Sequence, residues 1–249
     1  MTLSDDLRHA LQPDIWAREA LGFDPDPVQR ALLLSQARET VVNCTRQWGK
    51  STTVSLRALH AAIYDEALVL VVAPSARQSA ELLAKVEMFA SRLGLKVKGD
   101  GRNEYSAVLG RGKIIGLPAS ERNIRGFGGA GLVIYEEASR IPEWVFKASG
   151  AFTAIGEGKR IYISTPFGKR GEFYRLWSEP AADVVRLSVA GAGCPRISPA
   201  FLAGERRKLG DLWYRQEYCC EFVDIAEQMF STDRVEAAMD EEAQPLWNF

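Results

Sequence analysis

The residues best equipped for chemistry fall into three short clusters, each following an apolar run. The first is Thr45-Arg46-Gln47-Trp48-Gly49-Lys50-Ser51-Thr52, after Thr40–Asn43. A strand followed by a tight turn and a Gly-Lys-Ser that opens a helix makes an anion site, because the helix N-terminus presents free N–H groups and the positive end of its dipole. Gly49 allows close backbone approach, Lys50 can reach β- and γ-phosphates, and Ser51 can offer its hydroxyl to Mg²⁺. The full G-x-x-x-x-G-K-[ST] pattern would need glycine at position 44, where this chain has Cys44. Arg46, inside the loop, either touches the γ-phosphate and reports its presence, or packs on Trp48 or faces solvent.

The second cluster is Glu136-Glu137, delivered by Leu132-Val133-Ile134-Tyr135. Ligands of parallel α/β sheets sit at the C-terminal strand ends. Nucleotide hydrolysis needs one carboxylate near Mg²⁺ and another to orient and deprotonate the attacking water. By order, Glu136 takes the metal through water and Glu137 is the base. An acidic pair at a strand end is also a common helix-start signal, and only its position downstream of a phosphate loop favours the catalytic reading. The third cluster, Ser164-Thr165-Pro166 after Arg160–Ile163, puts two hydroxyls at the same edge. They can sense a γ-phosphate and transmit its loss, or they simply close a strand with a Ser/Thr-Pro turn.

These clusters need a sheet to carry them. Short β-branched runs at Thr40–Asn43, Ala67–Ala73, Lys113–Leu117, Leu132–Tyr135, Arg160–Ser164 and Asp183–Val189 alternate with helical patterns. That rhythm predicts an α/β fold with a mostly parallel central sheet flanked by helices. Continuous apolar runs such as LVLVVA and LVIY are what strands buried on both faces look like. Helices are expected over Lys50–Tyr64, Ser75–Leu93, Glu143–Ile155 and Arg170–Trp177. Ser198-Pro199 reads as an N-cap with proline at the first helical position, and Asp211 as a cap for LWYRQEYCCEF. Residues 94–112 hold five glycines among many charges and read as a hairpin or exposed loop. Residues 224–249 carry seven acidic residues and one Arg, so a boundary is expected near 224. The expected organisation is one domain over 1–223, with an N-terminal helical segment over about 1–38, and an acidic edge or linker over 224–249.

The 249 residues carry a formal net charge of −1, which excludes an overall positive field for nucleic acid and leaves only local patches. Residues 96–125 hold seven Lys/Arg against three Asp/Glu, and residues 159–175 five against one. Arg102, Lys169 and Arg170 are the contact candidates, with solvated charged faces as the alternative. Cys44, Cys194, Cys219 and Cys220 show no C-x-x-C spacing, and His9 and His60 sit in no metal-ligand pattern. The start of the chain lacks a basic, apolar leader, and no run approaches the ~18 apolar residues that span a bilayer, so no membrane role is expected.

Taken together, TRQWGKST, LVIYEEASRIPE and ISTPFGKRGEFYRLW resemble the N-terminal ATPase domain of the large terminase subunits of tailed bacteriophages. FDPDPVQ is similar to the segment that leads into the family's nucleotide pocket, where a glutamine contacts adenine, here Gln29. WYRQEYCCEFVD resembles the segment that closes that domain, so the likeness spans roughly residues 23–224. The resemblance implies an additional-strand P-loop fold and ATP with Mg²⁺ as cofactors. It implies a ring-forming motor that moves double-stranded DNA into a capsid, with the portal protein and the small terminase subunit as partners, in the cytoplasm of the infected host. It also implies an arginine supplied in trans, for which Arg125 matches best and Arg122 is the reserve. Glu136 departs from the family's usual aspartate and is one methylene longer. Whole large terminases carry a C-terminal nuclease that the residues after Val223 are too few to contain, so no DNA cleavage is expected of this chain. Two other readings stay open on the sequence: a helicase-like DNA remodelling ATPase, and a non-hydrolysing nucleotide-binding assembly module.

Overall fold

The apolar runs assemble into one seven-stranded sheet in a computed structural model, which describes residues 2–120, 124, 126–179 and 181–224. The strands are β1 (Glu39–Cys44), β2 (Leu68–Ala73), β3 (Ser106–Leu109), β4 (Gly112–Pro118), β5 (Leu132–Glu136), β6 (Lys159–Ser164) and β7 (Val184–Val189). Their spatial order is β3-β4-β2-β5-β6-β1-β7, all parallel except β3, which runs antiparallel to β4. Six strands match the sequence expectation. The seventh, β3, forms with β4 the hairpin that is one of the two readings of the glycine-rich stretch; it is a four-residue strand with Ser106 opposite Ile115, and on its outer side Val108 is bridged to Lys98.

Side chains alternate across each strand, and both faces are covered. Val42, Val69, Val71, Ile134, Ile161 and Ile163 join one core cluster, while Val41, Leu70, Val72, Val133, Tyr135 and Tyr162 join the other. Outside α1 (Leu3–Leu11), which packs against α2 (Pro13–Leu21), the first cluster is closed by α2, α3 (Pro27–Leu34), α4 (Lys50–Tyr64) and α5 (Ala76–Arg92). Trp16, Trp48, Leu32, Leu56, Leu59 and Leu82 are among its largest fully buried anchors. On the other face lie α6 (Glu143–Ala148) and α7 (Gly171–Ser178), the latter burying Phe173 and Leu176. Two more helices follow β7, α8 (Pro199–Leu209) and α9 (Asp211–Cys219). Close approach of α4 to β4 depends on Gly112, where an added Cβ would lie 1.9 Å from the Ala62 carbonyl oxygen.

Ser198 caps α8 as expected, its hydroxyl accepting from the Phe201 N–H. Two expectations need correction. The helix anticipated over Glu143–Ile155 stops at Ala148 and tightens into a 3-10 segment, Ser149–Thr153. Ser149 turns its hydroxyl to the Phe146 carbonyl and the buried Tyr135 hydroxyl, and Gly150 follows, a residue of low helix propensity. Asp211 does not cap α9: it is the first helical residue, Gly210 precedes it at positive φ, and its carboxylate accepts from Arg206. The helix ends at Cys219, because Cys220 adopts φ 60 and turns the chain out. The expected acidic edge, apart from Asp224, lies outside the described residues.

Candidate nucleotide site

The phosphate loop leaves β1 and enters α4 through two left-handed residues, Gln47 at φ 61 and Gly49 at φ 94. Glycine at 49 relieves the second of these of its steric cost. Position 44 does not need glycine. Cys44 is still in the strand, fully buried, and points its Sγ at the Ser164 carbonyl oxygen 3.6 Å away on β6. Its side chain fills the core beneath the loop, and burial pushes its thiol up to about 12, so it packs as an inert apolar group.

Trp48 is the loop's anchor and is wholly buried. Its Nε1 donates to Asp26 Oδ2 at 2.8 Å, while its carbonyl accepts from Gln29 Nε2 at 3.2 Å and Arg196 Nη2 at 2.5 Å. Arg196 also pairs with Asp26 at 2.9 Å. Asp26 and Gln29 meanwhile form a capping box at the start of α3, with proline at the first helical position, so the same residues that begin a helix also grip the loop. Gln29 is 1% exposed and both ends of its amide are engaged in this conformation. The Thr45 hydroxyl is turned away to the Glu217 carbonyl at 3.2 Å. Arg46 and Gln47 form the exposed crest, and Ser51 and Thr52 open α4.

Glu136 ends β5 and Glu137 follows it directly, but β5 is not the neighbour of β1: β6 lies between them. The two tips are therefore one strand apart, with Ser164 on the intervening strand. Despite that gap, Lys50 Nζ stands 2.7 Å from Glu137 Oε1, the two side chains retaining 16% and 22% exposure. Glu137 reaches across because it adopts φ 53, an uncommon left-handed conformation for a side-chain-bearing residue. Its other oxygen accepts from Ser164 Oγ at 3.4 Å, and Ser164 Oγ lies 2.8 Å from Ser139 Oγ. Burial alone would push the Lys50 ammonium down; the adjacent Glu137 carboxylate more than reverses this and holds it above its ordinary value. Glu136 is 4% exposed. Burial pushes its carboxyl up, against partial relief from a hydrogen bond with Ser51.

A cavity of about 310 Å³ opens on the Glu137 side of Lys50, lined by Arg46, Lys50, Gln78, Glu137, Arg140, Thr165 and Glu217, with Pro74. The C-terminal part of α9 closes it. Glu217 accepts the Arg46 N–H on its carbonyl at 3.1 Å and approaches the Arg46 guanidinium to 3.7 Å, while Gln216 Oε1 accepts the Gly168 N–H at 3.2 Å. Asn43 Nδ2 donates to the Cys220 carbonyl at 2.8 Å. The structure thus brings the Gly-Lys-Ser, Glu-Glu and Ser-Thr-Pro clusters around one space. Sequence reasoning missed Asp26, Arg196, Gln216, Glu217, Ser139 and Arg140. Only Asp26 had a local signal, the Asp-Pro-x-Gln capping pattern; the others act on residues distant in sequence or through a turn whose shape was not foreseen.

The charged candidates divide. Lys169 and Arg170 lie together between β6 and α7, Lys169 3.8 Å from Asp224 and Arg170 over the Phe167 ring at 5.3 Å. Arg102 is exposed on the loop before β3, four strands away across the sheet, roughly 19 Å at ordinary strand spacing. It does not share their patch. Arg122 and Arg125 lie outside the described residues.

A phosphate loop on β1, an acidic pair on β5 and an extra strand between them define a P-loop fold of the additional-strand class. Comparison with known proteins narrows this: residues 42–237 match the family described as terminase large subunit, T4-like-virus type, N-terminal, and the chain belongs to that family. It is 27% identical to the large terminase subunit of Thermus virus P23-45, over 89% of this chain and 53% of that protein. The chain spans about half the length of the curated relatives it matches. Its fold superposes on the ATPase domain of the Thermus phage P74-26 large terminase with TM-score 0.74 at 24% identity, covering 86% of this chain and all of that one. The large terminase of bacteriophage D6E in complex with ADP gives TM-score 0.62 at 14% identity, over 87% of this chain and 53% of that one.

Proposed function

We propose that this chain is a Mg²⁺-dependent ATPase whose hydrolysis cycle drives double-stranded DNA into a viral capsid. The observation that carries the reading is the 2.7 Å contact of Lys50 with Glu137 across the intervening strand. It puts the phosphate-binding ammonium and a candidate general base around one cavity. Backbone N–H groups of the loop through Thr52, with Lys50, hold the β- and γ-phosphates. Gln29 and Trp48 act from beneath by fixing the loop, and adenine contact by Gln29 requires its amide to exchange partners. Arg46, on the exposed crest, faces the terminal phosphate. Glu137 orients and deprotonates the attacking water once Lys50 has turned to phosphate, and Ser164 and Thr165 report the change at the sheet edge.

The residues present fit Mg²⁺. The Ser51 hydroxyl and Glu136 carboxylate are hard oxygen donors already in contact, and burial of the carboxylate is costly without a compensating cation. When bound, the ion would neutralise charge developing between the β- and γ-phosphates. The departures at Cys44 and Glu136 support retained rather than lost catalysis, since the first is absorbed by packing and the second reaches Ser51.

Residues 1–223 would form the motor, with Arg125, or Arg122 in its place, supplied to a neighbouring subunit's ATP in a ring. Lys169 and Arg170 are the DNA contacts the placement favours, with Arg102 at a separate position. Portal protein and small terminase subunit are the partners family membership implies, and the host cytoplasm is the expected compartment. The test is phosphate release by the wild-type chain with ATP and Mg²⁺, set against Lys50→Ala. The reading expects turnover in the first and none above background in the second; no release by the wild type at any protein concentration sinks it.

A further inference from the structure

Arg140 is the one cation lining the cavity that the catalytic reading does not use. Glu137 turns the chain at φ 53, Ala138–Arg140 forms a 3-10 turn, and the Arg140 N–H closes it by donating to the Glu137 carbonyl at 2.8 Å. The turn therefore ties Arg140 rigidly to the candidate base and brings its side chain to the same cavity. Each of the other two cations there has a carboxylate close by: Lys50 has Glu137 at 2.7 Å and Arg46 has Glu217 at 3.7 Å. Among the described residues Arg140 forms no ion pair. Its guanidinium instead lies over the Phe167 ring, 3.4 Å from the centroid. An aromatic face orients a guanidinium by stacking without neutralising it, leaving its edge N–H groups able to take an anion. The cavity thus holds three cations against two carboxylates, on the side of Lys50 where a terminal phosphate would project.

We infer that Arg140 contacts the γ-phosphate of ATP in cis and so makes the site discriminate triphosphate from diphosphate, with Phe167 as its positioning residue. The inference rests on the proposed ATP site. Phe167 follows Ser164-Thr165-Pro166 directly and carries Arg170 on its ring as well, at 5.3 Å, so a pull on Arg140 is felt by the loop that bears the basic candidates.

The test is equilibrium binding of ATPγS and ADP, measured in parallel by calorimetry on the wild-type chain, Arg140→Ala and Phe167→Leu. Removing one charge-assisted hydrogen bond to phosphate weakens ATPγS by about tenfold or more in Arg140→Ala, with ADP changed by less than about twofold. Phe167→Leu keeps the charge but frees it, and is expected to lose part of the same discrimination. A wild-type ATPγS-to-ADP ratio in Arg140→Ala, or an equal loss of both nucleotides, overturns the inference while leaving the ATP site standing. Failure of the wild-type chain to bind either nucleotide overturns both.

Discussion

Glu137→Gln separates the two tasks of that carboxylate. Glu137 neutralises Lys50 at 2.7 Å, so that carboxylate and the ATP phosphates compete for the same ammonium. With charge centres about 3.5 Å apart and an effective dielectric of about 20, the direct attraction is about 5 kcal/mol. Both side chains are drawn largely out of water, to 16% and 22% exposure, and desolvation offsets most of that figure, leaving about 1–2 kcal/mol for a partly buried pair. The amide keeps the shape and removes the competing charge. ATP affinity is therefore expected to rise about 5- to 30-fold, while turnover falls by about 10²- to 10⁴-fold as the base is lost. Calorimetry or a fluorescent nucleotide gives the first quantity and phosphate release the second. In the Lys50→Ala background the same substitution is expected to bring little of the tightening, since the interaction it relieves is already gone. Undiminished turnover in Glu137→Gln refutes the base, and unchanged or weaker ATP binding refutes the competition for Lys50.

Two further outcomes follow from the same geometry. The Glu136 carboxyl titrates above its ordinary 4.5 in the folded chain, chiefly through burial. The native state thus holds a proton the unfolded chain has released, and stability falls as pH rises from 4.5 through the folded value. Each pH unit between the two values costs about 1.4 kcal/mol, so Glu136→Gln is expected to flatten the fall and raise Tm at about pH 8 in the nucleotide-free chain; thermal melts from about pH 4 to about pH 9 check this, and a wild-type slope in the variant contradicts it. For Arg125, specific ATPase activity is expected to climb with protein concentration and Arg125→Ala to lose that climb, whereas identical concentration profiles reject a role in trans.

Much of the architecture was legible because buried parallel strands have a strong signature. LVLVVA and LVIY bury both faces, and their apolar continuity leaves little room for another reading. The edge strand Ser106–Leu109 has no such signature: it is four residues long, has only an isolated bridge to Lys98 on its outer side, and sits among glycines and charges that locally favour a turn. Lys50, Ser51, Glu136 and Glu137 were legible as chemistry because phosphate and metal binding demand those types at a strand end. The strand between them was not, since chain order does not state that β6 inserts between β5 and β1. Nor did anything near Glu217 announce that its carbonyl takes the Arg46 N–H and the Thr45 hydroxyl, the latter 172 residues back in the chain. Such contacts are set by how α9 folds over the sheet edge, a tertiary outcome with no local pattern. Gln29 shows a subtler limit: its type and place near the pocket were readable, while its present use, bracing the Trp48 carbonyl from inside the core, emerges only in three dimensions.

The most direct test is a crystal structure of this chain with a non-hydrolysable ATP analogue and Mg²⁺. The account predicts the terminal phosphate in the cavity beside Glu137, with the Lys50 ammonium turned from the carboxylate onto phosphate oxygens. Nucleotide bound elsewhere, with Lys50 and Glu137 still joined, would contradict it.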